Sequence, residues 1–194
     1  MEIVIIGLSH KNAPVEIREK LAFQEPDLKD ALTALRALPQ VNEAVILSTC
    51  NRVELYLVVK ELGKVEEAVK EFFSGYHKLK KSFFEKHLYM YVGSDALKHI
   101  IRVSASLDSM VIGETQIFGQ VKEAYAKAKE NGSVSKIFIN LFQKMFAVIK
   151  KIRTETEIGR LPVSISSIAV DLAEKIFETL EEKTIVVVGA GSMS

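Results

Sequence analysis

Cys50 is the residue of this sequence best suited to covalent chemistry, and it is the only cysteine among 194 residues. It lies in the segment Ser48-Thr49-Cys50-Asn51-Arg52, so a cation follows it by two residues. A nearby cation favours the thiolate, which is the nucleophilic form of the side chain. A free cysteine is more often a small core residue, although polar neighbours argue against burial here. The sequence therefore predicts a candidate nucleophile, with a structural thiol as the alternative.

Two histidines and two amides are further candidates. His10 lies in a polar loop, Ser9–Pro14, where a histidine is either a site residue or simply solvated. His99 lies beside an apolar stripe at helical spacing, which also suits a half-buried histidine whose hydrogen bonds are satisfied. Gln116 and Gln120 are four residues apart and share a helix face. Amides on one face can bind a ligand, or they can simply begin a polar helix.

Hydrophobic periodicity predicts the elements that position these residues. The predicted strands are Glu2–Leu8, Glu43–Thr49, Val53–Lys60 and His87–Val92. Two of them flank Cys50, which places the thiol at a strand-to-strand turn. Amphipathic helices are predicted after Pro26 and after Gly63. The resulting order is β-α-β-β-α-β, so we predict an α+β, ferredoxin-like domain with added helices.

The second half of the sequence is predicted to be helical. A break at Asn131-Gly132-Ser133 precedes a long helix that runs to about Glu157. Gly159-Arg160-Leu161-Pro162 stops that helix, which divides the chain into a domain over 1–158 and a second over 159–194. The second begins with a helix and the buried strand Thr184–Val188. The glycines that follow this strand suit a dinucleotide pyrophosphate, although Ser194 stands where the fingerprint has Gly or Ala. We therefore predict the start of a Rossmann-type α/β domain without its remaining elements.

Composition excludes several classes of protein. Hydrophobic residues make up 48% and charged residues 26%, which is ordinary for a globular protein with a sizeable core. The net charge of +1 gives no global sign of nucleic-acid binding, so any RNA contact has to come from a local patch. The apolar start is too short for a signal sequence or a membrane span. A single cysteine fits a reducing compartment, and we expect the cytoplasm.

Four segments resemble signature sequences of the glutamyl-tRNA reductase family. Ser48–Glu54 resembles the active-site signature of that family. The others are Gly7–Lys11 with Ala13-Pro14, Asp108–Gln116 and Val188–Met193. The four occur in the family's order and are spread between positions 7 and 193, so the resemblance covers most of the chain and is specific.

The resemblance implies an oxidoreductase that uses NADPH to reduce glutamyl-tRNA(Glu) to glutamate-1-semialdehyde, the first step of tetrapyrrole (porphyrin, 5-aminolevulinate) biosynthesis. It implies that Cys50 forms a thioester and that Arg52 pairs with a substrate carboxylate. It also implies that His99 is a polarising or proton-transfer group. The implied substrate-binding residues are Thr49, Cys50, Asn51, Arg52, Ser109, Glu114, Thr115, Gln116 and Gln120. The implied NADPH-binding residues are Gly189, Ala190, Gly191, Ser192, Met193 and Ser194. No metal is expected.

The resemblance also implies partners. They are glutamyl-tRNA(Glu), a second copy of the chain in a homodimer and the aminomutase that follows in the pathway, with neither DNA nor a membrane. Because most of the nucleotide domain is missing from the sequence, we expect this chain to be a fragment that lacks hydride transfer. The basic and aromatic segment Tyr76–Lys86 is either an RNA contact or a solvated loop whose Phe83 and Phe84 pack inward. The alternative function is a non-catalytic tRNA-binding or regulatory module in which Cys50 is structural.

Overall fold

A four-stranded antiparallel sheet forms the centre of the molecule, which we describe from a computed structural model. The structure describes residues 1–114, 116–159, 165–177, 179–181, 183–184 and 186. The strands are β1 (Glu2–Ser9), β2 (Val41–Ser48), β3 (Arg52–Val59) and β4 (Tyr89–Val92), in the spatial order β2-β3-β1-β4. Every residue of β3 is buried. Because successive side chains point to opposite faces, both faces of the sheet are covered at this strand.

Helices surround the sheet. They are α1 (Val15–Leu21), α2 (Leu28–Arg36), α3 (Val65–His77), α4 (Lys81–Phe84), α5 (Ser94–Ser104), α6 (Gln116–Glu130), α7 (Lys136–Glu155) and α8 (Ile165–Phe177). Short 3-10 turns precede α2 and α3 and follow α4 and α7. Helices α2 and α6 both pack against β2, the strand that leads to Cys50. None of the helices that the structure describes is long and apolar enough to cross a membrane.

A buried carboxylate in the sheet holds the beginning of α7. Glu43 in β2 accepts hydrogen bonds from the backbone N–H groups of Ser135, Ile137 and Phe138, at 2.8–3.0 Å. The Ser135 hydroxyl also donates to it at 2.7 Å. Burial opposes ionisation of Glu43, but these donors lower its pKa below the ordinary value. Glu43 therefore replaces a local helix cap, since the first N–H groups of a helix lack partners within the helix.

The predicted strands and the two predicted amphipathic helices are confirmed, with boundaries that differ by at most two residues for the strands. Helix α1 was not predicted: it begins directly after Pro14, which the sequence pattern assigned to the end of a loop. The segment Tyr76–Lys86 is more regular than the predicted loop, since it contains the end of α3 and all of α4. Phe84 is fully buried and Phe83 packs partly against the core, so the inward packing is confirmed.

The end of the chain leaves several predictions open. Helix α8 occupies the position predicted for the first helix of a second domain. Arg160–Pro162 of the predicted boundary lie outside the described residues, as do most of the predicted strand Thr184–Val188 and all of Gly189–Ser194. The division at residue 158 and the Rossmann-type beginning therefore stay predictions.

Candidate active site

The Cys50 thiol lies on an exposed turn between β2 and β3. The Thr49 hydroxyl accepts hydrogen bonds from the backbone N–H groups of Asn51 at 3.2 Å and Arg52 at 3.1 Å. The Thr49 N–H donates to the Arg52 carbonyl at 2.8 Å, which closes the turn. The backbone of His10 then joins this turn to the end of β1 through a 2.8 Å bond to the Asn51 carbonyl. A rigid, exposed turn of this kind does not fit the alternative of a buried structural thiol.

A narrow cleft opens beside the thiol, and we call it the thiol cleft. It is lined by Thr49, Cys50, Asn51, Arg52, Ser109, Glu114, Gln116, Ile117 and Gln120. Eight of the nine residues predicted to bind substrate therefore meet here, and the ninth, Thr115, lies outside the described residues. The cavity measures only about 20 Å³, which is room for about one water molecule. A bound aminoacyl group thus requires the walls to separate.

The loop between α5 and α6 brings the far wall of the cleft to the thiol. Ser106 and Gly113 both have positive φ angles, 63° and 91°. The Gly113 N–H donates to the Ser106 carbonyl at 3.2 Å, and the Ser106 hydroxyl donates to the Glu114 carbonyl. These bonds fold the loop onto itself, so that Ser109 and Glu114 face the cleft from the same segment.

Arg52 is buried beneath the cleft. Its side chain is held on both terminal nitrogens: Nη1 donates to Glu54 Oε1 at 2.6 Å, and Nη2 donates to the Asp108 carbonyl at 2.5 Å and to Asp108 Oδ2 at 3.2 Å. Only 1% of the residue is exposed. The charge of Glu54 raises the pKa of Arg52 above its ordinary value despite burial. The guanidinium fork already has protein acceptors, so the expected bidentate pairing with a substrate carboxylate would require it to exchange partners, and that pairing stays a prediction.

Glu54 is the centre of a buried polar cluster. It is fully buried, and besides Arg52 it accepts hydrogen bonds from Tyr56 at 2.7 Å, from Tyr89, and from His99 Nε2 at 2.9 Å. Burial would raise the pKa of Glu54, but the His99 hydrogen bond and the Arg52 charge lower it to about 2. A buried carboxylate is tolerated only with this degree of pairing. Glu54 therefore fixes the position of Arg52.

His99 lies in this cluster and does not line the thiol cleft, in the part of the chain that the structure describes. The residue is 8% exposed, and its ring stacks on Tyr91 with centroids 4.6 Å apart. Tyr89 meets it edge-on at 5.4 Å. Because His99 Nε2 contacts Glu54, the histidine reaches the cleft only through Glu54 and Arg52. The structure thus gives His99 a contact with Glu54, and its expected role in proton transfer stays a prediction.

Sequence reasoning missed Glu54, Asp108 and Lys11 as site residues. Lys11 forms an ion pair with Asp108, which in turn contacts Arg52. Burial opposes the charge on Asp108, but the Lys11 hydrogen bond and the Arg52 charge lower its pKa. A signal was present in β3: Arg52, Glu54 and Tyr56 alternate with apolar residues, so they share one face of an otherwise apolar strand.

Sequence reasoning also missed Arg18, whose side chain contacts the Cys50 turn directly. Its Nε donates to the Cys50 carbonyl at 3.2 Å, and its Nη1 donates to the Ala13 carbonyl at 2.7 Å.

The candidate His10 lies close to the same cations. Burial and the charge of Arg52 lower the pKa of His10, which favours its neutral form. Three cations therefore lie near this turn, and two of them, Lys11 and Arg52, are already paired with carboxylates.

The site has the components of thiol-dependent acyl transfer: an exposed cysteine, fixed cations and a cleft with hydroxyl, amide and carboxylate groups. A model of the family described as "Glutamyl-tRNAGlu reductase, N-terminal domain" matches residues 6–156. The chain therefore belongs to this family.

Individual relatives agree with the family model. The chain is 48% identical over 193 residues to the glutamyl-tRNA reductase of Citrifermentans bemidjiense, covering 100% of the chain and 44% of that relative. It is 49% identical over 194 residues to that of Solibacter usitatus, covering 100% of the chain and 46% of the relative. The solved structure of glutamyl-tRNA reductase from Methanopyrus kandleri aligns with a TM-score of 0.68 and 34% identity, covering 98% of this chain and 44% of that one. The chain thus spans less than half the length of these relatives.

Proposed function

We propose that this chain supplies the part of a glutamyl-tRNA reductase that binds glutamyl-tRNA(Glu) and forms a thioester on Cys50. The observation that carries the proposal is the exposed thiol in a cleft lined by eight expected substrate-binding residues. The strand order β2-β3-β1-β4 supports a ferredoxin-like description of the domain.

The acyl-transfer step balances with groups that are present. The Cys50 thiol loses its proton, and the thiolate attacks the α-carbonyl carbon of the glutamyl ester. A carbon–sulfur bond forms, the bond between that carbon and the terminal ribose oxygen breaks, and the ribose oxygen takes up a proton. The products are a glutamyl thioester and free tRNA. Arg18 holds the Cys50 backbone carbonyl during attack, since its Nε donates to that oxygen at 3.2 Å.

The cleft residues suit a glutamyl group. The Glu114 carboxylate is an acceptor for an α-ammonium group, whereas Ser109 and the amides of Asn51 and Gln120 can donate to the side-chain carboxylate. Arg52 contributes a fixed positive charge beneath the cleft, and a direct bidentate contact with the substrate carboxylate would require it to exchange partners.

The later step belongs to the whole protein. NADPH would supply the hydride that reduces the acyl group, and Gly189–Ser194, which lie outside the described residues, are proposed to hold it. For the whole protein we further propose reduction to glutamate-1-semialdehyde in tetrapyrrole biosynthesis, a cytoplasmic location, a homodimer and contact with the aminomutase that follows. The division into domains 1–158 and 159–194 is part of the same proposal.

Selective labelling of Cys50 tests the proposal. The chain is incubated with tRNA(Glu) charged with labelled glutamate, quenched in acid and analysed for label on Cys50. We expect a thioester that hydroxylamine releases and that Cys50→Ser does not form. We also expect glutamyl-tRNA to slow alkylation of Cys50. A thiol that takes up no glutamate and that glutamyl-tRNA does not protect would instead support the non-catalytic module.

A further inference from the structure

A second cleft, with a largely different lining, also reaches Cys50. We call it the Arg18 cleft, and it is lined by Arg18, Glu19, Ala22, Phe23, Gln24, Ser48, Thr49 and Cys50. Only Thr49 and Cys50 line both clefts among the described residues. Its volume is about 260 Å³, against about 20 Å³ for the thiol cleft. The larger space beside the thiol is therefore not the one that holds the predicted glutamyl-binding residues.

We propose that the Arg18 cleft binds the terminal ribonucleoside of the tRNA acceptor end, the leaving group of acyl transfer. The inference rests on the proposed function. An ester has two substituents on its carbonyl, and both must be accommodated when Cys50 attacks that carbon. If the glutamyl group occupies the thiol cleft, the ribose, which is joined to the reacting carbon through the ester oxygen, needs a separate space beside Cys50. The Arg18 cleft is such a space, because it also reaches Cys50.

The lining has the chemistry of a nucleoside site. Arg18 uses Nε and Nη1 on backbone carbonyls, and no further hydrogen bond from it is found among the residues that the structure describes, which leaves Nη2 and the guanidinium plane for a ligand. Guanidinium planes stack on unpaired bases. The Glu19 carboxylate can accept from ribose hydroxyls, and the exposed Gln24 amide can both donate to and accept from a base edge.

The charges also favour a nucleoside over a run of phosphates. Arg18 and Glu19 are adjacent and opposite in sign, so the cleft is close to neutral, whereas a phosphate track requires several cations without nearby carboxylates. The cleft floor is fixed, because the Phe23 N–H donates to the Ser48 hydroxyl at 2.9 Å. A floor fixed to β2 keeps a bound ribose in register with the Cys50 turn at the end of the same strand.

The test compares two acyl donors on the 194-residue chain. One is glutamyl-tRNA(Glu), and the other is the α-(4-nitrophenyl) ester of glutamate, which offers the same acyl group without a nucleoside. The rate of Cys50 acylation is measured with each donor for the parent chain and for Arg18→Ala, Gln24→Ala and Ala22→Leu. Ala22→Leu fills the cleft without removing a hydrogen bond to the Cys50 turn. Arg36→Ala, an exposed position at the end of α2 outside both clefts, is the matched control.

We expect the ratio of the tRNA rate to the small-ester rate to fall about tenfold or more in Arg18→Ala and Ala22→Leu, as when a base-stacking contact is lost. Arg36→Ala should keep the parent ratio. An equal fall with both donors would overturn the inference, because Arg18 would then only position the Cys50 turn. Parent-like ratios in all three cleft variants would also overturn it and leave the proposed function intact. If neither donor acylates Cys50 of the parent chain, both the proposed function and this inference are refuted.

Discussion

Replacing Glu54 with Gln tests whether the buried cluster stabilises both the fold and the site. Gln keeps the size of the side chain and one carbonyl acceptor, but it cannot neutralise Arg52, which is 1% exposed. The pKa of Glu54 is lowered from the ordinary 4.5 to about 2. At 1.36 kcal/mol per unit of pKa, this corresponds to about 3 kcal/mol of native stability. The value agrees with the cost of about 3–5 kcal/mol for breaking a buried ion pair.

The sign of the effect sets its pH dependence. Because folding lowers the pKa of Glu54, its stabilisation is complete above the unfolded-state pKa of about 4.5 and is lost as pH falls towards about 2. Urea unfolding of both proteins between pH 7 and pH 2.5 measures this contribution. We expect the parent chain to be more stable than Glu54→Gln by about 3 kcal/mol at pH 7, with the difference shrinking below pH 4.5. A difference below about 1 kcal/mol that does not vary with pH would refute the reasoning.

Glu43→Gln provides a matched control for the effect on the site. Glu43 is also a buried carboxylate with a lowered pKa, but it lies seven residues before Cys50, about 20 Å along the strand. Both variants should lose stability, since each removes an acceptor from buried donors. Only Glu54→Gln should slow the acylation of Cys50, by about tenfold, which corresponds to about 1.4 kcal/mol. Equal acylation rates in the two variants would show that Arg52 does not depend on Glu54.

Three further substitutions give independent checks. Arg52→Lys should lower the free energy of unfolding by about 1–3 kcal/mol, because one ammonium group cannot satisfy both Glu54 and Asp108. His99→Ala should lower the free energy of unfolding by about 1.5–3 kcal/mol and slow the acylation of Cys50, because it removes a donor to a buried carboxylate. His99→Gln keeps a donor, so it should recover part of the stability and part of the acylation rate. Gly7→Ala should destabilise by at least about 3 kcal/mol or prevent soluble expression, since its Cβ would lie 2.3 Å from the Val53 carbonyl oxygen.

Each of these has a clear contrary result. Parent-like stability in Arg52→Lys would mean that the guanidinium fork is not needed in the cluster. If His99→Gln is as slow in acylation as His99→Ala although both are folded, the histidine acts by proton transfer and not by positioning. A stable Gly7→Ala protein would show that β1 and β3 can separate, and a thermal unfolding scan is sufficient to detect it.

Much of the sheet and of the cleft was accessible from the sequence. β1, β2 and β3 follow from segments rich in Val, Ile and Leu, whereas β4 follows from Met90 and Val92 alternating with Tyr89 and Tyr91. The residues of the thiol cleft were predicted through the family signatures around Cys50 and Gln116. Periodicity alone places neither segment near the other, since the contact between them depends on how the loop before α6 folds.

The contacts that the Arg52 and His99 side chains make could not be predicted from the sequence in the same way. Arg52 is expected to bind a substrate because it lies near Cys50, but its guanidinium contacts Glu54 and also Asp108, 56 positions away, and a contact over that separation does not follow from periodicity. His99 was assigned a chemical role, whereas its helix packs it against Tyr91 and Glu54. Helix α1 was missed because its seven residues are too few for a clear periodic pattern.

The glycine at position 7 limits which substitutions the buried cluster around Glu54 can accept. It lies in β1 opposite Glu54 on one side and Tyr89 on the other. The atom that a side chain at position 7 would strike first is a backbone carbonyl oxygen, which is present whatever residue occupies position 53. No exchange of a neighbouring side chain can therefore compensate for a larger residue at position 7. The partners of Glu54 can instead be exchanged together, because they meet through side chains. A library that diversifies the buried cluster should accordingly keep position 7 as glycine and vary positions 52, 54, 56, 89 and 99 jointly.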